Sequence, residues 1–202
     1  ALPSRTRAMR CAGVPHEPNA QWAVRASSGL FGFSETYRAV PPRRDATKEG
    51  GCMNTRVTDL LGIRVPVIQG AMARIADGKL AGAVSAAGGL GIIACGGAPL
   101  AWIEEQVRIA REIAGDAPIG ANVMLMDPQA PQVAELLTEL HVDVVTTGAG
   151  SPANFMAAWK EAGIKVVPVV ASSALAARME RMGADAVVAE GCEAGGHIGE
   201  LT

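Results

Sequence analysis

From residue 65 onward, short apolar runs alternate with longer segments whose apolar positions recur every three or four residues. The short runs are 65–70, 89–94, 119–125, 143–147, 165–170 and 185–190. They are rich in β-branched residues and lack polar alternation, the pattern of strands buried on both faces. The longer segments carry helix-start chemistry. Asp77 suits the cap of a helix running to Ala86, and Pro99 the first turn of one carrying Trp102, Ile109 and Ile113. Ser151-Pro152 opens a helix with Phe155 and Trp159, and Ser172 or Ser173 one with Leu175, Met179 and Met182. Gly115, Gly163 and Gly183 close helices before the next strand. Six βα units in succession predict a parallel sheet wound in one sense. A doubly wound open sheet and a (β/α)8 barrel both satisfy that alternation. A barrel takes about 250 residues, and the patterned part of this chain is residues 53–202. The expected α/β architecture is therefore a TIM barrel truncated after about six βα units, with its last two units missing.

Residues 1–52 differ from the rest. They hold 8 Lys/Arg against 4 Asp/Glu, while residues 53–202 hold 10 against 16. Prolines including Pro15, Pro18, Pro41 and Pro42, scattered arginines and no helical or strand period mark the segment, and it lacks the apolar core of a secretory signal. Pattern begins abruptly at Met53. The codons of Lys48-Glu49-Gly50-Gly51 can form the purine-rich stretch at which bacterial ribosomes seat. The expectation is a non-native translated leader over 1–52 with Met53 as the native start; a disordered or targeting arm is the other reading.

Composition narrows the class. The chain has 202 residues, 49% hydrophobic and 19% charged, with a net charge of −2. That allows one sizeable core and gives no electrostatic reason to expect nucleic acid as a partner. No apolar stretch reaches the roughly 20 residues that cross a bilayer. Cys11, Cys52, Cys95 and Cys192 show no metal-ligand spacing. A reduced cytoplasmic protein without metal is expected.

In either architecture the site lies at the carboxyl ends of the strands. Those ends read Gln69-Gly70-Ala71-Met72, Cys95-Gly96-Gly97, Asn122-Val123-Met124-Leu125, Thr146-Thr147-Gly148-Ala149-Gly150, Val170-Ala171-Ser172 and Glu190-Gly191-Cys192-Glu193-Ala194-Gly195-Gly196-His197. Apolar, small and amide groups dominate, which suits a flat, largely uncharged ring better than a polyanion or a metal. In the last segment the glycines let backbone approach a ligand, and His197 supplies a side chain that titrates near neutrality. His197 is thus the catalytic candidate. His141 precedes a strand, at the opposite face, and is read as a structural or surface residue; His16 lies in the expected leader. Glu190 can accept hydrogen bonds from a ring or orient His197, and Glu193 is either a site group or a solvated loop charge. Cys192 is read as a packed thiol in preference to a nucleophile, because no base is placed for it. Gly89-Leu90-Gly91-Ile92-Ile93-Ala94 matches the dinucleotide GxGxxA pattern. It falls in a strand instead of opening a helix, so it cannot seat a phosphate on a helix N-terminus.

These motifs together carry a family resemblance. Pro66-Val67-Ile68-Gln69-Gly70-Ala71-Met72, Gly88-Gly89-Leu90-Gly91-Ile92-Ile93, Gly120-Ala121-Asn122-Val123-Met124-Leu125, Thr146-Thr147-Gly148-Ala149-Gly150 and Ala189-Glu190-Gly191-Cys192-Glu193-Ala194-Gly195-Gly196-His197 span residues 53–202. The segment resembles the FMN-dependent family that joins nitronate monooxygenases (2-nitropropane dioxygenases) with the flavin-containing enoyl-acyl-carrier-protein reductases. The resemblance implies a (β/α)8 barrel holding FMN at its strand ends. Gly70, Ala71, Met72, Asn122, Glu190 and Gly195 would contact the flavin, and His197 would be the catalytic histidine. Glu190 stands where nitronate monooxygenases usually carry Gln, and Ile198 where they carry Arg, so the resemblance leans to the reductase branch. That branch uses NADH or NADPH as reductant on an acyl-carrier-protein-bound enoyl thioester in fatty-acid synthesis. The other branch oxidises alkyl nitronates with oxygen. The loops that hold the flavin phosphate, after the seventh and eighth strands, have no counterpart in residues 53–202, so the chain alone is expected to be an inactive fragment. The expected partner is an acyl-carrier-protein-bound or other small-molecule substrate, without nucleic acid or membrane, and a homodimer is left open.

Overall fold

The computed structural model describes residues 54–196. Residues 1–52, for which a leader was expected, and His197 therefore lie outside the described residues. The elements are α1 (Arg56–Leu61), α2 (Gly78–Ala86), β1 (Gly91–Ala94), α3 (Leu100–Ala114), β2 (Ile119–Met124), α4 (Ala130–Glu139), β3 (Val144–Gly148), α5 (Ala153–Glu161), β4 (Lys165–Val170), α6 (Ser173–Arg181) and β5 (Val188–Ala189). The strands form one sheet in the order β1-β2-β3-β4-β5, every neighbouring pair parallel. A doubly wound sheet reverses its order at a switch point. Strictly sequential order has no such point, and it is the order of a barrel wall.

Local chemistry explains the helix boundaries. Asp77 caps α2 by accepting from the Leu80 amide (2.9 Å), and Ser172 caps α6 by accepting from the Leu175 amide (3.2 Å). Pro99 and Pro152 occupy the cap positions of α3 and α5, one residue ahead of the helix proper. Two helices carry no counterpart in the expected pattern. At α1, Thr55 and Thr58 form a reciprocal capping box with Thr in the place usually held by Glu or Gln. At α4, Pro131 lies in the first turn, where its missing N–H costs nothing.

The strands depart from expectation at the edges. The run 65–70 contributes a single parallel bridge, Ile68 to Leu90, in place of a full strand. Pro66 has no amide to donate, and beyond Gln69 the chain turns away. The side-chain amide of Gln69 takes over the ladder's role: it donates to the Ile92 carbonyl and accepts from the Ile92 amide, both at 3.2 Å. The run 185–190 shortens to Val188–Ala189, so Glu190 sits one residue past the strand, its amide donating to the Val170 carbonyl (2.9 Å). The third and fourth expected strands end at Met124 and Gly148.

The sheet separates two apolar clusters. One face packs Ile93, Ala121, Val123, Val145 and Val166 against the helices, with Trp159 at 0% exposure. The other face gathers Leu90, Ile92, Val144 and Val167, sealed by Leu61 and Ile63 from α1 and the turn after it. Helix α2 lies so close to β1 that a Cβ on Gly91 would overlap the Ala81 carbonyl. The Gly91 amide donates to Ser85 Oγ (3.0 Å). The GxGxxA pattern thus runs into β1, packed against the preceding helix α2, and opens no helix. No helix among the described residues is long and apolar enough to cross a membrane.

Candidate active site

Alternation along β2 puts Asn122 on the inner face, since Ala121 and Val123 pack outward. Its register partner across the sheet is Thr146 on β3. Asn122 Nδ2 donates to Thr146 Oγ1 at 2.9 Å, a polar pair standing above Ile92 and Val144 and level with Val167, the register partner of Thr146 on β4. Thr146 entered the sequence reading only as part of a strand-end motif; its pairing with Asn122 depends on register, which no linear pattern specifies.

Gly70, Ala71 and Met72 follow the Ile68 bridge. Ala71 packs against the inner apolar cluster, whereas Met72 is 41% exposed. The Met72 carbonyl accepts from the amides of Ile75 (3.0 Å) and Ala76 (2.8 Å), and the Ala76 carbonyl accepts from the Ala94 amide (2.9 Å), which folds this loop back onto β1. A Cβ on Gly70 would meet nothing within 4 Å. The next two loops are tied together: Asp127 accepts from the amides of Gly97 (2.7 Å) and Gln129 (2.9 Å). These two amides hold its carboxyl below the usual carboxylate range. Gln69 and Asp127 were not singled out as site residues. A polar residue inside an apolar strand run, and an Asp-Pro step just past a strand end, were the available signals.

Glu190 lines a cleft of about 390 Å³ between the start of α6 and the ends of β4 and β5, together with Val170, Ser173, Ala176, Val187, Ala189 and Glu193. Glu193 is exposed and accepts from the Gly191 amide (3.2 Å), so its carboxylate braces its own loop. Gly195 is exposed in the loop beyond. A second cleft, of about 370 Å³, opens at the opposite end beside Asp59, Asp116, Asp143 and Lys165. Asp143 is already engaged there, accepting from the Ile119 amide (2.9 Å) and pairing with Arg111 (2.8 Å). His141 is at that end too, with φ 50 and its carbonyl accepting from Arg111. The expected site residues within 54–196 therefore stand at one end, the carboxyl ends of the strands, where Asn122 contacts Thr146, a residue not among them. His197 follows on from the Glu190 loop but is outside the described residues.

The two described cysteines have opposite environments. Cys95 is 1% exposed, and burial pushes its thiol up to about 12. Cys192 is exposed. Iodoacetamide at pH 8 should label Cys192 within minutes and leave Cys95 unmodified until the protein unfolds. Peptide mass spectrometry reads both sites, and equal labelling in the folded protein would refute the burial of Cys95.

A sequential parallel sheet with its amide, hydroxyl and glycine groups at the strand ends defines a β/α-barrel protein that holds its ligand at the carboxyl face. Comparison with known proteins then specifies the family. The nitronate monooxygenase family model matches residues 54–139 and 127–202. The (3aS,4S,5R,7aS)-5-hydroxy-7a-methyl-1-oxo-octahydro-1H-indene-4-carboxyl-CoA dehydrogenase of Rhodococcus jostii is 31% identical over 149 residues, 74% of this chain and 42% of the relative. Nitronate monooxygenase of Pseudomonas aeruginosa is 31% identical over 185 residues, 73% of this chain and 53% of the relative. Among solved structures, FabK from Thermotoga maritima superposes with TM-score 0.71 at 48% identity, covering 74% of this chain and 48% of that one. Nitroalkane oxidase from Streptomyces ansochromogenes gives 0.65 at 27% identity, covering 71% and 50%. The chain belongs to the nitronate monooxygenase family, whose members are flavin-dependent oxidoreductases. It spans about half the length of the relatives it matches, and its sheet is part of a (β/α)8 barrel.

FMN is the family's cofactor, and the described residues fit its ring. Gly70 and Gly148 leave open space where side chains would stand, and Asn122 offers amide groups beside the apolar wall.

Proposed function

We propose that this chain is the amino-terminal part of an FMN-dependent enoyl-acyl-carrier-protein reductase. The supporting observation is the apolar chemistry of the strand ends: Met72, Met124 and Met126 are 41%, 37% and 77% exposed. Flexible thioether side chains on a site's rim suit an acyl chain better than a small nitronate anion. The 48% identity to FabK, of the reductase branch, and relatives acting on a carboxyl-CoA both favour a thioester substrate.

When bound, FMN would relay hydride from NADH or NADPH to the β-carbon of a trans-2-enoyl thioester. Asn122, Glu190 and the backbone of Gly70, Ala71, Met72 and Gly195 hold and orient the ring in this reading. His197 steadies the thioester oxygen as negative charge develops there, or delivers the proton to the α-carbon.

The test uses the polypeptide encoded by the complete reading frame, loaded with FMN. Crotonyl or longer enoyl thioester should be consumed at the expense of NAD(P)H, faster than oxygen is consumed with 2-nitropropane. Turnover of the nitroalkane without turnover of the enoyl thioester would establish the nitronate monooxygenase reading instead. That reading has its own support in the family model and the Pseudomonas aeruginosa relative.

A further inference from the structure

We infer that Thr146 is a positioning residue for Asn122, fixing the direction in which its amide meets a bound flavin ring; the inference rests on the flavin reading above. The two residues are register partners on β2 and β3, joined by the 2.9 Å bond from Asn122 Nδ2 to Thr146 Oγ1. Thr146 is only 7% exposed, so its hydroxyl is held in place by the sheet and largely removed from water.

An asparagine amide is planar and carries two N–H donors and one carbonyl acceptor. Its terminal torsion is broad, so without a partner the amide plane swings freely. Here one end of the amide is held by Thr146. Planarity then fixes the plane and direction in which the other polar groups of the amide lie, and no protein group among the described residues bonds them. A fixed donor beside a fixed acceptor is what a ring edge of alternating carbonyl and N–H groups requires. Ile92 and Val144 beneath, and Val167 beside Thr146, offer the amide no competing partner. Thr146 thus sets the orientation without touching the ligand, and the preorganisation raises affinity by removing a cost of ordering at the moment of binding.

The experiment is a fluorescence-quenching titration with FMN, on the polypeptide of the complete reading frame. It compares the parent, Thr146→Val, Thr146→Ser, Asn122→Ala and the Thr146→Val/Asn122→Ala pair, with thermal melting of each apoprotein. Valine nearly preserves the shape of threonine and removes the hydroxyl, whereas serine keeps it. FMN affinity should fall roughly tenfold in Thr146→Val, the weight of one lost hydrogen bond to a polar group. Thr146→Ser should recover most of the loss. In the Asn122→Ala background the valine substitution should have no further effect, because a residue acting through Asn122 has nothing left to act on.

Parent affinity in Thr146→Val overturns the inference and leaves the flavin reading intact. Additive losses in the pair overturn it too, since Thr146 would then act independently of Asn122. So does a loss that tracks a fallen melting temperature and is not recovered by serine, which would mark Thr146 as structural only. A parent that binds no FMN overturns the flavin reading and this inference with it.

Discussion

His197→Ala is expected to slow enoyl-thioester reduction by roughly 10²–10⁴-fold, the usual weight of one positioned proton-transfer group. The ring contacts proposed above lie on Gly70, Ala71, Met72, Asn122, Glu190 and Gly195, so the variant should still bind FMN. Reduction of the flavin by NAD(P)H involves no such proton transfer to substrate and should survive largely intact. Stopped-flow absorbance separates the two half-reactions: the reductive one stays at the parent rate and the oxidative one collapses. A variant that reduces enoyl thioester at the parent rate would remove His197 from the mechanism. Collapse of the reductive half-reaction would instead place the histidine at the nicotinamide.

Trp159→Ala should cost about 3–5 kcal/mol of stability, the range for truncating a fully buried large aromatic. Trp159 is 0% exposed and fills the outer core between α5 and the sheet, with the Phe155 ring 5.4 Å away at a tilt of 40°. Its indole N–H donates to the Ala134 carbonyl on α4 (3.3 Å), so the side chain links two neighbouring helices of the wall. Alanine leaves a large void, and the flanking helices cannot close it without giving up their seats on the strands. For a chain of this size about 1 kcal/mol moves the melting temperature by 2–4 °C, so a fall of about 10 °C is expected. Trp159→Phe separates packing from hydrogen bonding. The Ala134 carbonyl also accepts from Thr138 Oγ1 (2.8 Å), so losing the indole N–H leaves no orphaned acceptor. The phenylalanine variant should therefore recover more than half of the loss. Equal melting of the alanine variant and the parent would show that this core tolerates the void.

Strands buried on both faces announce themselves as unbroken apolar runs, and 165–170 was legible in full for that reason. Helix caps are local chemistry, so Asp77 and Ser172 were readable from their neighbours alone. So were the closing glycines Gly115, Gly163 and Gly183, which all adopt positive φ. The α/β class followed from alternation, and the (β/α)8 expectation from the family resemblance carried by the motifs at the strand ends.

Contacts between distant segments were not legible. Only the three-dimensional pairing decided that the sheet runs β1 to β5 in unbroken order, because alternation is the same in a barrel and a doubly wound sheet. Only the fold turned the expected strand 65–70 into a single bridge completed by the Gln69 side chain, since that bond partner lies 23 residues along the chain. Helix α1 escaped notice because six residues carry little periodicity, yet Leu61 and Ile63 seal the inner core that Leu90, Ile92, Val144 and Val167 build. The meeting of Asn122 with Thr146 belongs to the same class. Residue type and order determined which groups stand at the strand ends, and the register of β2 against β3 decided which of them touch.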